Sequence, residues 1–145
     1  MPDPNAAEKA KLLMRWRLTL DAVERNEPQG TAWADLRALG ERSANNLRVL
    51  RGLSREAAVM ASMLPPLLRV DLDATLAAAA IDVESERAAD AAAVARIRAR
   101  GRIRSEAEYR RVQSYADQIG PDETRQGEFL ALGALLDEFA SRGAI

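Results

Sequence analysis

DLDATLAAAAIDVESERAADAAAVARIRAR, residues 71–100, is the stretch on which the fold turns. Leu72, Leu76, Ala79 or Ala80, Val83, Ala91, Val94 and Ile97 recur in it at helical spacing, and no Gly or Pro interrupts it before Gly101. The spacing predicts one long central helix over about 71–100. At ~1.5 Å per residue that helix measures about 45 Å, more than the width of a compact domain of this size. It must bend, most naturally where the apolar stripe thins near Asp82–Glu86, or lay part of its length against another chain.

Helical patterns continue on both sides. Asn5 with Glu8 reads as a capping box opening a helix that carries Leu12, Leu13, Trp16, Leu20 and Val23, closed by Pro28 and Gly30. Thr31 is placed to cap a second helix with Trp33, Leu36, Leu39, Leu47 and Leu50, in which Gly40 either breaks or weakens the run and Gly52 is the stop. Ser54 then reads as the cap of a third helix, closed by Pro65-Pro66, with Leu67–Val70 a short apolar connection. Beyond Gly101, Ser105 with Glu108 is a second capping box, leading to Tyr109, Val112, Ala116 and Ile119. Gly120-Pro121-Asp122 makes a turn before Phe129, Leu132, Leu135, Leu136 and Phe139, and Gly143 ends the last helix. The expectation is an all-α bundle of five to six helices forming one domain, 1–145.

Composition agrees with that class and removes several chemistries. Hydrophobic residues make up 48% of the chain but aromatics only 4%, and alanine fills 29 of 145 positions, so a core must be built from small pieces. The 19 arginines against only Lys9 and Lys11 point to a GC-rich bacterial genome. The chain has no Cys and no His. Disulfides, thiolate nucleophiles, imidazole bases and the usual zinc or haem ligands are therefore unavailable. No apolar run reaches the roughly 18 residues of a membrane span, and Met1-Pro2-Asp3-Pro4 is unlike a signal peptide. The reading is a cytoplasmic protein with no membrane association, no cofactor, no metal and no catalytic residue.

Carboxylates are the only groups left for an enzyme. Asp82 with Glu86, and Asp71 with Asp73, are spaced to share a divalent cation. Glu24 with Glu27 matches the first acidic pair of all-α nucleoside-triphosphate pyrophosphohydrolases, yet residues 35–60 lack the second pair. A solvated helix face is the better account of each, and a carboxylate–metal hydrolase is the remotest alternative.

The charge layout is more informative. Residues 71–95 hold six acids against Arg87, residues 96–111 hold seven arginines against Glu106 and Glu108, and residues 112–145 hold six acids against Arg125 and Arg142. Arg96, Arg98, Arg100, Arg102 and Arg104 alternate with Ile97, Ala99, Gly101 and Ile103, which as a strand would place five arginines on one face. As a helix end the same residues oppose the negative pole of the helix dipole, worth ~0.3–1 kcal/mol each, and the caps on either side favour that form. With Arg110 and Arg111 they are the candidate partner-binding residues. Nucleic acid is the alternative ligand, disfavoured because no aromatic is interleaved for base stacking and the pI is 5.6. A helix-turn-helix over Trp33–Arg51, with Gly40 in the turn and Asn45, Asn46, Arg48 and Arg51 on the second helix, is the other nucleic-acid reading.

The segment Ile103-Arg104-Ser105-Glu106-Ala107-Glu108-Tyr109, with Asp117, Leu132, Leu135 and Phe139 after it, resembles the helical region preceding the DNA-binding domain in helix-turn-helix antitoxins of the host-inhibition-of-growth type. The resemblance covers about residues 103–140 and implies a helix pair contributing dimer or toxin contacts; the DNA-binding domain itself has no counterpart before Ile145. Together these readings lead to a non-catalytic interaction or regulatory protein: an antitoxin- or immunity-like partner, an adaptor, or a helical subunit. Its expected partners are another protein and further copies of itself.

Overall fold

A computed structural model describes residues 2–30 and 32–143. Among these residues the chain forms seven α-helices and one short 3-10 turn, with no strand. It divides into two compact units, Met1–Val83 and Glu84–Ile145.

In the first unit α1 (Ala6–Asn26) is the hub against which α2 (Trp33–Arg42), α3 (Leu47–Ser62) and α4 (Pro66–Ala78) all pack. Two faces of α1 are buried. Leu13, Trp16 and Leu20 meet Leu50, Leu53 and Ala57 of α3, while Ala22 joins Ala61, Leu64, Leu72, Leu76 and Val83. Between them Arg15 is only 4% exposed and donates from Nη1 to Ser54 Oγ at 3.0 Å. The Trp16 indole donates to the Leu36 carbonyl at 2.9 Å and lies over Gly40 of α2.

Several local expectations give way to these contacts. Asn5 precedes α1 but makes no side-chain cap; Asp3 Oδ1 accepts the Asn5 N–H instead, and Glu8 takes both guanidinium bonds of Arg51, at 2.9 and 3.2 Å. A two-pronged, charge-assisted pair is stronger than one bond to a neutral N–H. Thr31 lies outside the described residues. Gly40 sits inside α2, and the break falls at Ser43–Asn46, where the Asn46 carboxamide accepts the Val49 N–H at 3.2 Å. Gly52 and Ser54 are interior to α3. Burying Leu50, Leu53, Ala57 and Ala61 along one uninterrupted stripe outweighs the ~1 kcal/mol that Gly costs in a helix.

The single long helix is likewise divided. Pro66 occupies the first turn of α4, so Leu67–Val70 are helical, and the helix stops at Ala78. Ala80 adopts φ 60°, the Ala80 N–H bonds to the Ala77 carbonyl at 3.0 Å and the Ile81 N–H to Leu76 at 2.9 Å. This is a Schellman closure with alanine where glycine is usual. An unbroken helix would carry Ile81 about 140° round from Leu76; the turn lets Ile81 and Val83 both pack on the cluster that holds Leu72 and Leu76. The break thus falls just before the acidic stretch where the apolar stripe thins. Ala80→Gly should raise stability by about 0.5–1 kcal/mol, because the left-handed conformation penalises a Cβ by more than glycine's added chain entropy costs. A higher urea midpoint with an unchanged m-value is the expected result.

The second unit holds α5 (Val83–Arg100) beyond its first residue, α6 (Glu106–Ile119), the 3-10 turn Glu123–Arg125 and α7 (Gln126–Ser141). Its core is Val94, Ile97, Ile103, Val112, Ala116, Ile119, Leu132 and Phe139, bordered by Tyr109, Tyr115, Phe129, Leu135 and Leu136. Here the apolar spacing, both limits of α6 and the ends of α5 and α7 agree with the sequence reading, whereas Pro121 does not start a helix: Asp122 caps the 3-10 turn and α7 begins at Gln126. Gly101, at φ 86°, ends α5 as expected.

Candidate functional site

The arginine-rich segment runs off the end of α5, through the connection 101–105 and into α6. Arg96, Arg98 and Arg100 are on the helix, so they do not form the single five-arginine face of a strand. A helix puts Arg100 near Arg96 and turns Arg98 about 160° away from Arg100. In the connection, Ile103 is fully buried and exposed Arg102 and Arg104 flank it. Arg142, at the end of α7, donates to the Ile103 carbonyl and pairs with Glu138, fixing this end of the unit.

Three of the seven candidates are in ion pairs, two of them between elements. Arg100 pairs with Glu108 and donates to the Arg102 carbonyl at 2.9 Å. Arg111 bridges α6 to α5 through Asp90 at 3.0 Å. Arg110 pairs with Glu106 one turn earlier. The Ser105 cap is as expected, accepting the Glu108 N–H at 3.1 Å, but Glu108 reaches back to the Arg104 N–H at 2.8 Å rather than to Ser105. The Arg100 guanidinium, and then that N–H, hold the Glu108 carboxyl below its ordinary range.

The other four form no ion pair among the described residues. Arg96, Arg98, Arg102 and Arg104 all project into solvent, while the nearby Glu106, Glu108 and Glu138 are already engaged. Their surroundings offer no exposed base-stacking platform: Tyr109 is half-buried and stacks on Phe139 at 5.3 Å, and half-buried Tyr115 lies under the Arg125 guanidinium.

The remaining candidate sites look different once folded. Of the helix-turn-helix residues, Asn46 is spent on a cap and Arg51 on Glu8, and Gly40 is not in the turn. Glu24 and Asp21 both pair with Arg37. Among the described residues no three acidic side chains stand close enough to hold a metal ion, and no helix is long and apolar enough to cross a membrane.

One surface was missed by reading the sequence. Leu67 is 81% exposed, Val70 65% and Met63 69%, and Leu67, Val70, Ala74 and Ala77 form an exposed apolar face on α4. The signal was available: Pro66 is a favoured first helical residue, and the 3-4-3 spacing starts one residue later. No family model, curated protein or solved structure matches the chain.

Proposed function

We propose that this chain is a non-catalytic interaction protein that docks an acidic protein surface through Arg96, Arg98, Arg102 and Arg104. The observation that supports this reading is the division among the arginines: three are in ion pairs and four, at the same end of the unit, pair with no carboxylate among the described residues. Desolvated contacts between such guanidiniums and a partner's carboxylates supply specificity and a fast, salt-dependent approach. An antitoxin- or immunity-like partner, an adaptor or a subunit of a cytoplasmic assembly all fit this role. Nucleic acid ranks second, since cations without accessible aromatics bind phosphate without reading bases.

Changing Arg96, Arg98 and Arg102 together to Gln separates a binding role from a structural one. Exposed, unpaired side chains contribute tenths of a kcal/mol each, through the helix dipole, so the melting temperature should move by no more than a few degrees. Proteins recovered from the host with the wild-type chain should be lost with the variant, also after nuclease treatment. Full recovery with the variant would remove this surface from the functional account; loss only after nuclease would favour the nucleic-acid reading.

A further inference from the structure

We draw no further inference here: the strongest candidate, the exposed apolar surface patch that Leu67 and Val70 make on α4, carries none because nothing in the structure shows what covers it.

Discussion

Leu132→Ala is expected to unfold most of the second unit. Leu132 is fully buried in the cluster that joins α5, α6 and α7. Truncating a buried leucine to alanine costs about 2–5 kcal/mol, the upper part of the range applying where the surroundings cannot collapse. A unit of this size is stable by only about 3–9 kcal/mol at ordinary values per residue, so the loss is comparable to the whole. The aromatic residues make the measurement specific. Both tyrosines and both phenylalanines lie in 84–145, and both tryptophans in 1–83. The near-ultraviolet tyrosine signal should disappear in the variant and helicity should fall. A tyrosine transition within 0.5 kcal/mol of wild type would mean that Leu132 does not centre this core.

Gly40→Ala should destabilise the first unit by about 1–3 kcal/mol, against the direction of helix propensity. Alanine is favoured over glycine by ~1 kcal/mol in a helix interior, and Gly40 lies inside α2 with no unusual backbone angle. A Cβ there would stand 2.4 Å from Cδ1 and 2.8 Å from Nε1 of Trp16. Trp16 is 2% exposed and anchored to the Leu36 carbonyl, so the ring cannot swing aside. The overlap forces α1 and α2 apart, and overpacking of a close-packed contact costs more than the propensity gain. Trp16→Phe removes the five-membered ring edge that the Cβ would strike. Adding Gly40→Ala to Trp16→Phe should therefore cost less than adding it to wild type, a coupling of 0.5 kcal/mol or more in a double-mutant cycle. Stabilisation by Gly40→Ala in wild type would show that the helices have room to separate.

These two sites illustrate why some of the chain is readable and some is not. Leu132 and its neighbours announce themselves by periodicity, because each helix in the second unit buries one stripe and begins or ends at a strong local signal, Ser105 or Gly101. Gly40 sends the opposite message: alone it suggests a break, and only the indole of Trp16, 24 residues earlier, explains why glycine is there. The same applies to Ser54, a plausible cap in isolation that is instead a buried acceptor for Arg15. The arginine segment was legible as a group but not in its division. Whether an arginine is occupied depends on Asp90, which is 21 residues from Arg111, as much as on near neighbours such as Glu106.

By itself the amino-acid order determined the all-helical class, the stripes, most helix termini of the second unit, the missing chemistries of Cys and His, and the clustering of positive charge at 96–111. All of these follow from local periodicity, local hydrogen bonding or composition. Tertiary structure decided the rest: that residues 71–100 divide at a left-handed alanine, that Gly52 stays helical, that Arg96, Arg98, Arg102 and Arg104 pair with no carboxylate among the described residues, and that Leu67 and Val70 of α4 are exposed. Each of these depends on contacts between residues far apart in the chain, whose packing and ion-pair energies of one to several kcal/mol exceed the local preferences of about 1 kcal/mol or less.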